Sequence, residues 1–241
     1  MQPGIDSNAA RGRDRRGSHL SVRLEFFFDC SSPWTYLAFH RIQSVAAETD
    51  TTILWRPILV GGVFNAINPG VYTERAKIGD RLRQGETTAE GRKAKYYIKD
   101  LADWARLSDL KIGQPPVFPV NSVRVMRACF VAEEHGRLVP FARAAFEAYW
   151  GELKDLSQDD VLMEIAGKAG LDAEEIFKKI VTPDYKQRLR NTTDELMKRG
   201  GFGSPTIFID ESDMYFGNDR LEVVADGLRR RAGELDRKGV S

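Results

Sequence analysis

The feature that most constrains this chain is residues 24–37, in which an apolar run is followed by a tight polar turn and a proline. Residues 24–28 (Leu-Glu-Phe-Phe-Phe) are largely aromatic, which favours a buried β-strand. Pro33 is favoured at the first position of a helix, where the N–H that proline lacks would be unbonded anyway. Ser32, immediately before it, is a good N-cap residue. The sequence therefore predicts strand, turn and helix, with Ser32 at the positive end of the helix dipole.

Ser32 has two interpretations. Capping serines are common, so the simplest is a helix cap with no chemistry. The alternative is a hydroxyl that binds an anion, because free N–H groups and the helix dipole converge on this point. A second stretch supports the alternative: Pro205 lies directly before a β-branched strand, and residues 217–219 (Gly-Asn-Asp) open a helix after a predicted hairpin.

Together these stretches resemble the branch of the thioredoxin fold that contains DsbA, and within it the 2-hydroxychromene-2-carboxylate isomerases and the kappa-class glutathione transferases. The resemblance runs from residue 24 to residue 229. Its landmarks between the two ends are residues 55–57 (Trp-Arg-Pro), 92–93 (Arg-Lys), 100–101 (Asp-Leu), 118–119 (Phe-Pro) and 150–152 (Trp-Gly-Glu). It implies an α/β fold, a thioredoxin-like domain of order β-α-β … β-β-α with a large all-α insertion.

We expect the chain to divide into three parts. Residues 1–21 are polar and rich in Arg and Gly, which predicts a disordered tail, with a basic docking arm as the alternative. Residues 22–65 and 201–232 form the thioredoxin-like domain. Residues 66–200 form the α-helical insertion domain, because we find no convincing strand pattern between residues 71 and 200.

Composition narrows the function classes. The 241 residues carry 36 basic and 35 acidic side chains, a formal net charge of +1, so nucleic acid and anionic membrane surfaces are not the expected partners. No apolar run reaches the length of a membrane span. The N-terminal residues lack the apolar segment of a secretory signal, and we expect a cytoplasmic protein.

The cysteines argue against redox chemistry on the protein itself. In the redox relatives a Cys-x-x-Cys pair follows the first strand, and alignment on the proline puts Ser32 and Thr35 at those two positions. Cys30 lies two residues too early, and we expect it and Cys129 to be small buried hydrophobes. The two cysteines and three histidines show no metal-ligand spacing, so no metal site is predicted.

The resemblance implies glutathione as the cofactor. The Ser32 hydroxyl then stabilises the glutathione thiolate, whose free thiol titrates near 8.5. One hydrogen bond to a charged group contributes about 1.5–3 kcal/mol, equivalent to about one to two pKa units. The implied reaction is reversible thiolate addition to a 2-hydroxychromene-2-carboxylate, with ring opening and bond rotation, to give the trans-benzylidenepyruvate.

The family's remaining glutathione contacts correspond to Ser204, Pro205, Asn218, Asp219, Lys93, Asp100 and Asn68. Pro205 matches a cis-proline, which turns the Ser204 backbone toward the cysteinyl unit. Asn218 suits the γ-glutamyl carboxylate and Asp219 its amino group, although both residues could simply cap a helix. Candidates for the substrate are an apolar wall of Trp34, Phe64, Tyr96 and Tyr97, and Lys93 or Arg56 for its carboxylate. The loop over residues 70–91 is longer than in the relatives and leaves the lid and substrate contacts open.

Three hypotheses follow. The first is a glutathione-dependent isomerase of aromatic degradation, acting as a homodimer on a small aromatic carboxylate. The second is a kappa-like glutathione transferase or peroxidase acting on another electrophile. The third is a non-catalytic or DsbA-like relative that binds a thiol or peptide without a redox pair of its own. The glutathione-type residues disfavour the third hypothesis, but the sequence does not identify the substrate.

Overall fold

A computed structural model of the chain describes residues 22–67, Gly70, Lys77 and residues 88–239. The predicted tail, Asn68 and most of the loop over residues 70–91 lie outside the described residues. In chain order the elements are β1 (Leu24–Phe28), α1 (Pro33–Glu48), β2 (Ile53–Pro57), α2 (Val60–Ile67), α3 (Ala89–Leu107), α4 (Val123–Glu134), α5 (Leu138–Phe146), α6 (Asp159–Lys168), α7 (Ala173–Ile180), α8 (Pro183–Lys198), β3 (Thr206–Ile209), β4 (Asp213–Phe216) and α9 (Leu221–Gly239). A π-helical turn (Glu147–Gly151) follows α5, and a 3₁₀ turn (Asn218–Arg220) precedes α9.

The four strands form one mixed sheet of order β2-β1-β3-β4. β1 and β2 are parallel and are joined through α1, whereas β3 is antiparallel to both β1 and β4. The described residues between α3 and β3 contain helices and no strand. The predicted α/β class is therefore confirmed: a thioredoxin-like order of elements interrupted by a large helical insertion.

Alternating side chains of β1 build a core on each face of the sheet. Leu24, Phe26 and Phe28 join a large core with α1 and the inserted helices, while Phe27 packs in a smaller cluster against α2 and α8. In the large core the ring of Phe146 lies 6.4 Å from that of Phe28, centroid to centroid. The thioredoxin-like part and the insertion thus share one hydrophobic core, and the domain boundaries given above stay a prediction.

A buried carboxylate, that of Glu25, lies on the second face of the sheet, the face to which Phe27 also points. Glu25 has no exposed surface, and charged residues are rarely buried unless they are paired. Its oxygens lie 2.6 Å from Arg23 Nη2 and 2.7 Å from Arg199 Nη1. The Arg199 guanidinium also stacks 3.9 Å above the centre of the Phe208 ring. This ion pairing joins α8 to the central strand.

Helix α3 runs parallel to α1 along its exposed side. The Trp34 and Tyr97 rings meet edge to face at 5.6 Å, and the Arg41 guanidinium lies 4.5 Å above the Trp104 ring. Both contacts join residues 63 positions apart, so the two helices advance together in the same direction. Because α3 begins eight residues before Tyr97, its first turns extend past the start of α1, at the end that carries Ser32.

The side chain of Asp29 ties three elements together directly after β1. Its Oδ1 accepts from the Ser31 N–H at 2.9 Å, and its Oδ2 accepts from the Val60 N–H at 2.8 Å and the Ser122 hydroxyl at 3.1 Å. Val60 is the first residue of α2, so the carboxylate satisfies one of the N–H groups that a helix start leaves free. Ser122 directly precedes α4. Asp29 thus connects the turn that carries Ser32 to two helix starts.

We predict that Asp29→Ala lowers the free energy of unfolding by roughly 2–4 kcal/mol, since it leaves several buried donors without an acceptor. Asp29→Asn keeps one acceptor and is expected to lose less. Urea denaturation at neutral pH measures both losses. Equal stability of the alanine variant and the wild type would contradict this role of Asp29.

Comparison of the wild type with Asp29→Asn also gives a prediction for the pH dependence of stability. Burial raises the pKa of Asp29 above its usual 3.8, against the opposing hydrogen bonds. A carboxyl with a raised folded-state pKa stabilises the fold fully below its unfolded pKa, and loses that contribution as pH rises through the folded-state value. The stability of the wild type minus that of Asp29→Asn is therefore expected to fall between pH 3.8 and neutrality. A difference that rises with pH over this range would show that the pKa is lowered.

Candidate functional site

Ser32 lies at the N-cap of α1 and is 3% exposed. Its Oγ accepts from the Thr35 N–H at 3.3 Å and donates to the Ser204 carbonyl at 3.4 Å. Typical lengths are about 2.9–3.0 Å for N–H···O and 2.7–2.8 Å for O–H···O bonds, so both interactions are weak. The predicted cap is confirmed. The hydrogen bond from the Ser32 hydroxyl to the Ser204 carbonyl is weak enough for a stronger acceptor to replace that carbonyl.

The Ser204–Pro205 peptide bond is cis, as the resemblance implied. The Ser204 side chain is also engaged: its Oγ accepts from the Asp29 N–H at 3.0 Å and lies 2.8 Å from Thr35 Oγ1. Ser32, Thr35 and Ser204 therefore form one cluster of hydroxyl groups. Sequence reasoning named Ser204 for its backbone alone. A serine directly before the proline was the available signal for its side chain.

Asn218, on the 3₁₀ turn before α9, is a further buried polar residue of the site. It is 2% exposed, and Arg41 Nη1 donates to its Oδ1 at 2.8 Å and to its backbone oxygen at 3.1 Å. Its Nδ2 is buried and has no hydrogen-bond partner among the described residues. The Gly217 N–H donates to the Pro205 carbonyl at 3.2 Å, which places this turn beside the cis-proline. An unused buried donor of this kind suits a carboxylate.

Asp219 lies on the same 3₁₀ turn but at the surface. It forms an ion pair with the neighbouring Arg220 at 2.6 Å, in which both side chains are more than half exposed. Gly217, at the start of the turn, has a φ of +102°, and a Cβ there would lie 2.8 Å from Asp219 Oδ1. Gly217, the N-cap residue of this turn, has no side chain with which to cap it, and Asn218 Oδ1 accepts from Arg41.

The predicted ligand residues of α3 are placed unequally. Lys93 is exposed and lies one turn before Tyr97, level with the turn that precedes α1. Asp100 is half-buried and lies about two turns further along the helix, away from Ser32. Lys93 therefore fits the predicted role better than Asp100. Asn68 lies outside the described residues.

The residues predicted to contact the substrate also differ in their burial and contacts. Trp34 and Tyr97 are half-buried and touch each other at the start of α1, and Phe64 is buried on α2. Tyr96, by contrast, is 63% exposed. Arg56 pairs with Glu195 and Glu25 on the second face of the sheet, so Lys93 is the better candidate for a substrate carboxylate.

Cys30 and Cys129 are fully buried free thiols, which confirms their structural interpretation. Burial, together with the neighbouring Cys129, raises the pKa of the Cys30 thiol well above its ordinary value, so a thiolate is disfavoured. The Cys30 carbonyl accepts from Trp150 Nε1 at 3.0 Å. Trp150 comes from the π-helical turn after α5, and this hydrogen bond joins that turn to the segment before Ser32.

In the part of the chain that the structure describes, no three His, Cys, Asp or Glu side chains are grouped so that they could hold a metal ion. None of the described helices combines the length and the apolar composition that a membrane span requires.

Comparison with known proteins agrees with this geometry. The model of the DSBA-like thioredoxin domain matches residues 23–229. The 2-hydroxychromene-2-carboxylate isomerase of Sphingobium xenophagum is 27% identical over 209 residues, which cover 87% of this chain and 99% of that protein. Glutathione S-transferase kappa 1 of Rattus norvegicus is 26% identical over 216 residues, which cover 84% and 88%.

A solved structure of a 2-hydroxychromene-2-carboxylate isomerase has the same fold. It superposes with a TM-score of 0.71 at 24% identity, over 90% of this chain and 98% of that one. The family model covers most of the chain. This chain belongs to the family of DSBA-like thioredoxin domains.

Proposed function

We propose that this protein is a glutathione-dependent isomerase that acts on 2-hydroxychromene-2-carboxylate or a related aromatic carboxylate. The observation that carries the proposal is the loosely held Ser32 hydroxyl at the start of α1, beside the cis-proline, where the redox relatives have a reactive sulfur. A hydroxyl cannot exchange disulfides, but it can donate to a thiolate brought by a ligand. The isomerases and kappa-class transferases among the relatives support this interpretation.

The residues at the site fit glutathione. Asn218 Nδ2 is a buried donor that no described residue pairs with, and it suits the γ-glutamyl carboxylate. Arg41 holds the amide oxygen of Asn218 and so leaves Nδ2 as the group available to the ligand. The exposed carboxylate of Asp219 suits the ammonium group next to that carboxylate. Glutathione, when bound, supplies the thiolate that adds to the unsaturated substrate and leaves again.

The chain's own contribution to the chemistry begins at Ser32. Its hydroxyl exchanges the weak bond to the Ser204 carbonyl for a charge-assisted bond to the ligand sulfur, which is the stronger type. The dipole of α1 favours the same negative charge. The Trp34–Tyr97 pair offers an apolar wall near this point, and the ammonium group of Lys93 suits the substrate carboxylate.

A kappa-like transferase or peroxidase is the second candidate, because kappa-class enzymes match this chain about as well as the isomerases do. Both functions use the same glutathione site and differ in the electrophile. An isomerase turns over many substrate molecules for each glutathione, whereas a transferase consumes one glutathione per product. The ratio of product formed to glutathione lost decides between them. The predicted homodimer and cytoplasmic location stay predictions.

The first prediction for this function concerns Ser32. Ser32→Ala is expected to slow glutathione-dependent turnover by about 10–100-fold, because one charge-assisted hydrogen bond is lost. The thiolate absorbance of bound glutathione should then titrate at higher pH than in the wild type. Stability should fall by only about 1 kcal/mol, the cost of a lost cap. The cap-only interpretation predicts the stability loss without any change in the thiol titration.

The second prediction concerns the γ-glutamyl end. Glutathione is expected to raise the melting temperature, because binding to the folded state alone stabilises by about 2.7 kcal/mol at 100 times Kd. Asp219→Ala and Asn218→Ala should lose much of that shift. Arg220→Ala is the matched control, since it removes the surface partner of Asp219 but no proposed ligand contact. No shift of the wild type at millimolar glutathione would reject the proposed site.

The third prediction concerns Cys30. Its thiol is buried and its pKa is raised, so Cys30→Ala is expected to leave glutathione-dependent turnover within a few-fold of the wild type. Cys129→Ala, which removes the neighbouring buried thiol, serves as the control for packing. Loss of all activity in a folded Cys30→Ala variant would instead indicate redox chemistry on the protein's own sulfur.

A further inference from the structure

The hydroxyls of Thr35 and Ser204 form a pair with one proton to spare. The two oxygens are 2.8 Å apart, and either hydroxyl could be the donor of that single bond. Ser204 Oγ also accepts from the Asp29 N–H at 3.0 Å. Neither hydroxyl oxygen has another hydrogen-bond partner among the described residues. The two hydroxyl groups carry two protons, but only one of these protons is used in the hydrogen bond between them. The other proton can be donated to a ligand.

Burial decides which hydroxyl holds the spare proton. Thr35 is 0% exposed and Ser204 is 8% exposed. If Ser204 donated to Thr35, the Thr35 proton would be buried without an acceptor, which is costly. If Thr35 donates instead, Ser204 Oγ accepts two bonds, and the unpaired proton belongs to Ser204, the less completely buried of the two residues. The second arrangement therefore leaves the unbonded donor where its cost is lower.

The position of this donor relates it directly to Ser32. The Ser204 carbonyl lies 3.4 Å from Ser32 Oγ. The Ser204 hydroxyl belongs to the same residue as that carbonyl, and it therefore lies close to the Ser32 hydroxyl that is proposed to bind the ligand. A sulfur that replaces this carbonyl as the acceptor of the Ser32 proton comes to lie beside Ser204. A thiolate can accept more than one hydrogen bond, and each favours the charged form.

We propose that the Ser204 hydroxyl is a second catalytic hydrogen-bond donor to the thiolate of bound glutathione, and that Thr35 is the positioning residue that orients it. This inference rests on the proposed function. It explains why hydroxyls replace both sulfurs of the redox pair: Ser32 donates directly, and Thr35 donates to Ser204 so that the Ser204 proton faces the ligand. Polarisation along this short chain of hydrogen bonds strengthens the final donor.

The test is a pH titration of the thiolate absorbance of glutathione bound to the full chain. Ser204→Ala is expected to raise the thiol pKa by about one to two units, the effect of one hydrogen bond to a charged group. Thr35→Val should raise it by less, because Ser204 keeps its proton but loses its orientation. Thr35→Ser restores the hydroxyl and is the conservative rescue. Ser32→Ala in the same assay gives the scale for one donor.

A purely structural role of Ser204 would lower the melting temperature without moving the thiol titration. If Ser204→Ala titrates like the wild type while Ser32→Ala is shifted, the inference is wrong and the proposed function stands. If wild-type protein leaves the thiol titrating like free glutathione, both are wrong. Ser204→Ala also removes the acceptor of the Asp29 N–H, so it could fail to fold. In that case a folded Thr35→Val variant with an unchanged titration would overturn the inference.

Discussion

The site depends on the hydrogen bonds of one buried residue, Asp29. Its carboxylate accepts from the turn before α1, from the first residue of α2 and from the serine before α4, while its own N–H donates to Ser204. Burying a carboxylate is costly, as its raised pKa indicates, and it is tolerated because three donors surround it. The strand end, two helix starts and the cis-proline loop are thereby held in fixed positions around Ser32.

The contrast between Cys30 and Ser32 shows how position controls reactivity. The positive end of a helix favours an anion, but only for a group that sits at the helix start. Cys30 lies two residues earlier, fully buried beside Cys129, where burial raises its pKa. The fold therefore keeps the anion-stabilising point of a thioredoxin-like domain while its own sulfur is inert. In the proposed function, the sulfur at this point comes with the ligand.

Arg41 connects the other elements of the site. It stacks on Trp104 of α3 and donates twice to Asn218, so one side chain joins α3, α1 and the turn before α9. Burial lowers its pKa, and the nearby Glu222 and Asp219 oppose that change. Because it holds the oxygen of the Asn218 amide, the nitrogen is left for a ligand. The two ends of the proposed glutathione site are thus linked through α1.

The sequence by itself determined the local elements: the strand, turn and helix over residues 24–37, the cap at Ser32 and the hairpin before the last helix, whereas the cis bond at Pro205 was implied by the family resemblance. These follow from patterns within a few residues, such as apolar periodicity and the backbone limits of proline. Only the tertiary structure decided that the Ser204 side chain meets Thr35, that Arg41 binds the Asn218 amide oxygen, that Trp150 donates to the Cys30 carbonyl and that Glu25 is buried. Most of these contacts join residues more than a hundred positions apart, and hydrogen bonds at that separation depend on how the elements pack.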